Sequence, residues 1–260
     1  CCKMKTPYYW YVEKSFISSL LQPLSYLWLL LSYLKNTFKK KYFFDVPIIC
    51  VGNVLAGGAG KTPLVIEICK YYKKKKINIH VVYKVYKSKI GINALSVNQD
   101  NNNNLDDEAV LISKYANTWL CRKRKYGIDE AIKAGAKLII LDDGLQDVSI
   151  KKNVTILVSN ENQGNGNKKI IPAGPLREPL VSAIKKSNCL FFYGEKKNIN
   201  KYFKNYKENI IYGKIKINKK NIINIRDRKV FAFAGIAHPD NFFKTLYLEG
   251  LNVVDTLSFP

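Results

Sequence analysis

Three glycines, a lysine and a threonine in the run Gly57-Gly58-Ala59-Gly60-Lys61-Thr62 are the residues whose types and spacing point most directly to chemistry. They follow the apolar run at residues 47–53 and open a helical pattern that extends to residue 74. Pro63 is tolerated in its first turn. A glycine-rich turn between a buried strand and a helix aims successive backbone N–H groups inward, where they cradle phosphate oxygens. The helix N-terminus adds its positive end. Gly57, Gly58, Ala59, Gly60, Lys61, Thr62 and Pro63 are therefore the expected nucleotide cradle. Lys61 would reach the β- and γ-phosphates of ATP, and Thr62 would hold Mg²⁺ through its hydroxyl. The general pattern calls for glycine at position 55, where Leu55 stands. A tight turn with no ligand is the alternative, and the three glycines directly before Lys-Thr weigh against it.

Acids form the second constellation. The run KLIIL at residues 137–141 ends in Asp142-Asp143-Gly144. Carboxylates at the C-terminal end of a sheet strand lie where open α/β folds bind ligands, and one there can hold Mg²⁺ directly or through water. Asp-Gly is also turn chemistry; beside a phosphate loop the metal reading is the stronger. Asp106-Asp107-Glu108 follows a polar loop and precedes an apolar helical run. A helix cap accounts for one of these acids, and three in a row invite a second role.

These residues need a sheet to position them. Apolar runs at 47–53, 77–82, 137–141 and 154–158 read as strands, and residues 62–74, 108–115 and 126–134 as helices. That alternation argues for a doubly wound, mostly parallel α/β sheet. Residues 231–236, 241–249 and 252–257 repeat strand, helix, strand as the start of a second, smaller α/β domain. Four regions are expected: a membrane-associated helical segment at 1–40, the phosphate-loop domain at 41–190, a linker or connecting ribbon at 191–230, and the truncated second domain at 231–260. Residues 15–34 carry no charge and approach the length of about 20 that a spanning helix needs. Their serines, Gln22 and Pro23 favour a helix lying in the membrane interface, with Pro23 breaking it. A buried core helix and a spanning one are the alternatives.

The net charge of +23 comes largely from lysine. It suits an anionic membrane, a phosphorylated substrate or nucleic acid, and equally a genome biased toward Lys, Asn and Ile codons, as the run at Asn101–104 suggests. Six scattered cysteines without a C-x-x-C pair, and His80 and His238 as the only histidines, argue against zinc and a disulfide framework. Met4 is the sole methionine and the expected translation start.

The spaced combination resembles the tetraacyldisaccharide 4′-kinase family along essentially the whole chain. The carrying segments are Met4 to Pro7 with the apolar helix after it, then Val51-Gly52-Asn53 leading into the glycine run and Pro63. Asp107-Glu108 follows, then Leu141-Asp142-Asp143-Gly144-Leu145-Gln146 and, most specific, Ile171-Pro172-Ala173-Gly174-Pro175-Leu176-Arg177-Glu178-Pro179. Phe233 to Ile236 and Phe242-Phe243 complete it. The family, too, lacks glycine at the Leu55 position. Three departures stand out: Tyr83-Lys84-Val85-Tyr86 replaces the family's Ser-Arg-Gly-Tyr, Asp147 replaces a histidine, and the Phe-Pro-Asp-His segment stops at Phe259-Pro260.

The resemblance implies a phosphate-loop kinase at the cytoplasmic face of the bacterial inner membrane, peripheral or monotopic. It would transfer phosphate from ATP to the 4′-hydroxyl of an acylated glucosamine disaccharide 1-phosphate in lipid A biosynthesis. Asp107 would accept the hydroxyl proton, with Lys61, Asp142 and Asp143 in the catalytic group. Thr62, Glu108 and Gln146 would hold Mg²⁺. Asn53 and Arg177 would contact substrate, although Arg177 serves equally well as a loop anchor. An anionic membrane surface is the expected partner and nucleic acid is not, with the chain acting as a monomer. The rival functions are an ATPase coupled to a protein partner and an inactive membrane-bound fragment.

Overall fold

A computed structural model describes residues 6–85, 94–99, 105–203, 206, 209–214, 220–235 and 239–259. Tyr86, Asn101–104, Ile236, His238 and Pro260, to which the sequence drew attention, lie outside the described residues, as do positions 1–5. Contacts group the chain into two compact units, Tyr9–Gly213 and a smaller one of Cys1–Tyr8 with Lys214–Pro260.

The larger unit starts with two helices, α1 (Phe16–Leu20) and α2 (Gln22–Thr37). The chain breaks between them at Leu21, and Pro23 sits in the first turn of α2, where its missing N–H costs no hydrogen bond. Then come β1 (Ile48–Gly52), α3 (Lys61–Lys74), β2 (Ile79–Lys84), β3 (Ala94–Ser96), α4 (Asp107–Ser113), β4 (Asn117–Cys121), α5 (Arg124–Lys133), β5 (Leu138–Asp142) and β6 (Val154–Asn160). After them, α6 (Leu180–Lys185), β7 (Cys189–Tyr193), α7 (Ile199–Tyr202) and β8 (Ile210–Gly213) complete the unit.

Among the described residues the eight strands form one sheet in the order β3-β4-β2-β5-β1-β6-β7-β8. Neighbours run parallel except β3, which is antiparallel to β4. Both faces are covered, so the central strands are continuous apolar runs rather than alternating ones. Val51, Val81 and Ile140 pack against Leu64, Val65 and Cys69 of α3 and Ile112 of α4. Their neighbours Cys50, Val82, Ile139 and Leu141 pack on the other face against Ile128 and Ala131 of α5. From β1 the chain runs to β2 and the β3 edge, returns through β4 to β5 beside β1, and then crosses to β6, β7 and β8 on the other side; β1 with its neighbours marks the crossing point where such sheets open a crevice.

Two expectations need correction. Residues 191–230 are not simply a linker, because β7 and β8 extend the main sheet and Phe192 and Phe203 fill a third apolar cluster with Leu157 and Leu190. The strand at Asn117–Cys121 was also unforeseen, since its sequence NTWLC has no long apolar run.

The smaller unit contains α8 (Lys220–Ile223), β9 (Lys229–Ala234), α9 (Pro239–Leu248) and β10 (Asn252–Ser258). Its two strands pair in parallel, and Phe243 of α9 packs on Ala232 and Ala234.

The N-terminal helices reverse the usual partition. Ser18 and Ser25 are their only buried side chains, while Phe16 is 83% exposed, and Leu20, Leu24, Leu27, Trp28, Leu30, Leu31, Tyr33 and Leu34 all face outward. A helix lying in the interface would leave these serines wet. Instead they bond the protein: Ser18 Oγ donates to the Ala173 carbonyl at 2.8 Å, and Ser25 Oγ to the Ile170 carbonyl at 2.8 Å. Trp10 Nε1 donates to the Pro172 carbonyl at 3.0 Å and holds the preceding turn to the same segment. No helix of the described residues is long and apolar enough to cross a membrane.

Candidate active site

The site grows from the C-terminal ends of three adjacent strands. Val51 of β1 lies level with Asp142 of β5, and Tyr83 of β2 flanks Asp142 on the other side. Beyond β1 the chain turns through the glycine run into α3. Gly57 and Gly60 take φ values of +125° and +87°, which glycine adopts without the strain a side chain would bring. A Cβ on Gly60 would also meet the Tyr193 ring at 2.8 Å. Gly57 and Gly58 are exposed at the loop's crest, and Ala59 is buried beneath it. Thr62 and Pro63 follow in the first turn of α3, Thr62 half-buried and Pro63 exposed.

Asn53 was expected to meet substrate, but the structure gives it another task. It is fully buried, and Nδ2 donates to the carbonyls of Leu55 (2.9 Å) and Gly57 (3.3 Å). Its Oδ1 accepts from Lys61 Nζ at 3.1 Å. Asn53 therefore braces the loop from inside and orients the lysine.

Lys61 Nζ also lies 3.6 Å from Asp143 Oδ1. Asp143 is gripped more tightly by Arg177, whose Nη1 donates to its two carboxylate oxygens at 3.0 and 2.8 Å. Arg177 is carried by a segment knitted to the loop: its N–H donates to the Val54 carbonyl at 2.8 Å, and Ala56 N–H to the Pro175 carbonyl at 2.8 Å. Gln146 closes the ring. Its Nε2 donates to the Asn53 carbonyl at 2.9 Å and to Glu178 Oε1 at 3.3 Å, while its Oε1 accepts from Arg177 at 3.4 Å. Glu178 in turn pairs with Lys186 at 2.6 Å.

Adjacent acids are driven in opposite directions. Asp142 is 2% exposed, its Oδ1 has no partner, and burial pushes its carboxyl up to about 7 against the pull of Lys61. For Asp143 burial works the same way, but Lys61 and Arg177 outweigh it and hold the carboxyl below its ordinary value. A pair split in this manner can keep one ionised acceptor beside one group poised to hold a proton near neutrality.

The third acidic cluster resolves as a division of labour. Asp106 caps α4, its side chain accepting from the Glu108 N–H at 3.1 Å. Capping thus leaves Asp107 and Glu108 to other roles. Tyr83 hydroxyl lies 3.3 Å from Glu108 Oε2 and 3.2 Å from Asp106 Oδ1, tying the start of α4 to the end of β2. Burial and the charges of Glu108 and Asp106 raise the Tyr83 pKa, so it stays a neutral donor. Asp107 is exposed at this same end of the sheet.

Sequence reasoning missed Arg124, the first residue of α5. Its side chain is buried, Nη2 donates to the carbonyls of Asp142 (3.0 Å) and Asp143 (2.7 Å), and Nη1 pairs with Asp147 at 3.1 Å. Asp147 also accepts from the N–H and hydroxyl of Ser149, and despite its burial these bonds and Arg124 pull its carboxyl down to about 2. Only the basic run Arg122 to Lys125 marked the spot, and nothing in it separates Arg124 from its neighbours.

A metal would meet oxygen donors here. Among the described residues no three His, Cys, Asp or Glu side chains gather as a cage. Mg²⁺ does not require one, since it takes one or two carboxylates and completes its shell with water and substrate phosphates. The partnerless, buried Asp142 Oδ1 is the feature that fits a cation.

Comparison with known proteins identifies the family and the fold. The family profile described as tetraacyldisaccharide-1-P 4′-kinase matches residues 17–260. A tetraacyldisaccharide 4′-kinase of Rhodospirillum centenum is 31% identical over 99% of this chain and 78% of its own length. One from Paramagnetospirillum magneticum is 31% identical over 99% of this chain and 79% of its own. Among solved structures, LpxK from Aquifex aeolicus in complex with ATP superposes with a TM-score of 0.74 at 24% identity, over 94% of this chain and 82% of that one.

Proposed function

Because the chain belongs to the tetraacyldisaccharide-1-P 4′-kinase family, we propose a division of labour for its site in that reaction. The activity is ATP-dependent phosphorylation of the 4′-position of a lipid A disaccharide 1-phosphate, a step of lipid A biosynthesis. The observation that carries the assignment of roles is the convergence of Lys61, Asp142, Asp143 and Arg177 beneath one glycine loop.

Phosphoryl transfer asks a protein mainly for positioning and charge neutralisation. The amides of Gly57 to Thr62 take the phosphates, and Lys61, already aimed by Asn53, follows the charge that develops on the transferred group. Asp143 holds Lys61 and Arg177 ready, and each cation can turn from it to a phosphate oxygen when ATP enters. Mg²⁺, when bound, would neutralise the phosphates. Thr62, Glu108 and Asp142 are its candidate holders, and Gln146 joins them once its Oε1 leaves Arg177. Asp107, exposed beside this cluster, takes the proton of the 4′-hydroxyl or orients its oxygen.

The outward apolar face of α1 and α2 supports docking where an acylated acceptor resides, as a peripheral or monotopic protein at the cytoplasmic face of the inner membrane. Lys35, Lys39, Lys40 and Lys41 at the end of α2 favour anionic headgroups. The site draws all its expected residues from one chain, so a monomer suffices.

Labelled ATP supplied with the disaccharide 1-phosphate lipid tests the reading. Label should appear on the acceptor, and Asp107→Asn should slow transfer by about 10²- to 10⁴-fold. ATP consumption indifferent to the acceptor would favour the ATPase alternative. A loss under about tenfold in Asp107→Asn would reduce that residue to positioning.

A further inference from the structure

Arg124 has no part in the steps above, yet its guanidinium lies buried directly behind the acids. In an extended strand, successive carbonyls point to opposite sides. Here the carbonyls of Asp142 and Asp143 turn to one nitrogen, Arg124 Nη2. The backbone change that allows this is at Asp143, whose φ is +51°. Aspartate tolerates the left-handed region better than most residues, but it seldom enters it without something to hold it there. Arg124 is what holds it, and Asp147 holds Arg124 from the other nitrogen at 3.1 Å. Asp147 is fixed in its turn by the Ser149 hydroxyl at 2.6 Å.

We propose that Arg124, locked by Asp147, is a positioning residue for phosphoryl transfer: it keeps the Asp142–Asp143 backbone in the turned conformation that aims the Asp143 carboxylate at Lys61 and Arg177. The geometry leaves little slack. A left-handed residue returned to an extended conformation swings its side chain and carbonyl away from their present partners. Asp143 would then release the 2.8 Å bond to Arg177 and its 3.6 Å approach to Lys61. Lysine cannot replace the arginine, because one ammonium point charge does not reproduce a planar fork reaching two carbonyls and a carboxylate. The residue at 147 also gains a meaning. An acid there, where the resembling family carries histidine, supplies the anion that a buried guanidinium requires.

The inference rests on the kinase reading, and its test separates the two. Parent enzyme, Arg124→Lys and Asp147→Asn are compared for thermal unfolding, ATP binding stoichiometry and kinetics on the disaccharide 1-phosphate lipid. Arg124→Lys should bind one ATP per chain and lose about 10²-fold in kcat, with KM for ATP moving less than about threefold. Asp147→Asn, which keeps shape and loses charge, should lose about three- to tenfold in kcat with the same unchanged KM, and Asp147→Glu should recover most of it. A merely structural role would lower the fraction of ATP-competent protein and leave kcat per competent site alone. Parent-like kcat in folded Arg124→Lys overturns the proposal. If that variant fails to fold, parent-like kcat in Asp147→Asn does the same. A parent enzyme that transfers no phosphate removes the kinase reading, and this inference with it.

Discussion

Two regions of this molecule break the rule that places apolar groups inside and charges outside, and they break it in opposite ways. At the C-terminal edge of the sheet, Asp142 and Arg124 are buried and Lys61 and Asp143 half-buried. In α1 and α2 only two serines are buried, and a broad face of Leu, Phe, Tyr and Trp meets solvent. Scattered exposed leucines would mean little, but a buried unpaired carboxylate oxygen and a contiguous apolar face are each costly in isolation. The proposed function supplies the missing term in both places: phosphate and cation at the sheet edge, lipid at the helices. The cost at the site is electrostatic and concentrated in a few atoms, so single substitutions should act strongly. The cost at the helices is spread over area, so single substitutions should act weakly.

The sharpest test of that contrast is Lys61→Ala. Loss of the lysine braced toward the loop should lower kcat by about 10³-fold or more while thermal stability stays near the parent value. Activity within about tenfold of the parent would remove Lys61 from the chemistry. On the helix side, Leu27→Glu combined with Leu31→Glu should release the protein from anionic vesicles and lower turnover on vesicle-borne acceptor about tenfold, with less than about a twofold change on detergent-dispersed acceptor. Vesicle binding that survives both charges would deny the apolar face its role. The smallest effect has the less intuitive sign. Burial raises the Asp142 carboxyl to about 7, so its contribution to folding is fully present below the ordinary carboxylate range and is lost as pH rises through 7. Asp142→Asn should therefore stabilise the free enzyme on the order of 1–3 kcal/mol at pH 8 and hardly at pH 4, even as it impairs turnover. Thermal melts at the two pH values decide it, and destabilisation at pH 8 would show that the charged form is already compensated.

What the sequence made legible follows the same division. The phosphate loop could be read because its chemistry is local: three glycines, a lysine and a threonine need only a strand before and a helix after. The doubly wound sheet was legible for a related reason, since β1, β2, β5 and β6 each contain a run of apolar residues. β4 and β8 were harder, because Asn117–Cys121 and Ile210–Gly213 are short strands without a long apolar run. Arg124 was hidden because its role depends on the peptide turned at Asp143, nineteen positions away. Ser18 and Ser25 looked like polar dilution of an apolar helix, and only the loop they dock against makes them the inner face. The resemblance offered Asn53 as a substrate contact, and only the folded loop shows that its amide satisfies carbonyls the glycine turn leaves open.

The stretch from Ile170 to Glu178 has hold of both regions at once. Its first residues receive Ser18, Ser25 and Trp10, and its last supply Arg177 and Glu178 to the ring around Asp143. Nine residues reach no more than about 30 Å even when fully drawn out, and this stretch is bonded along its length rather than free to swing. On the proposed docking it would work as a depth gauge. With the helices seated at a bilayer surface, the height of the transferring phosphate above that surface would be set by the fold and not by a search. An acceptor would then qualify by how far its sugar stands out of the lipid, and the bilayer would act as the second wall of the binding site.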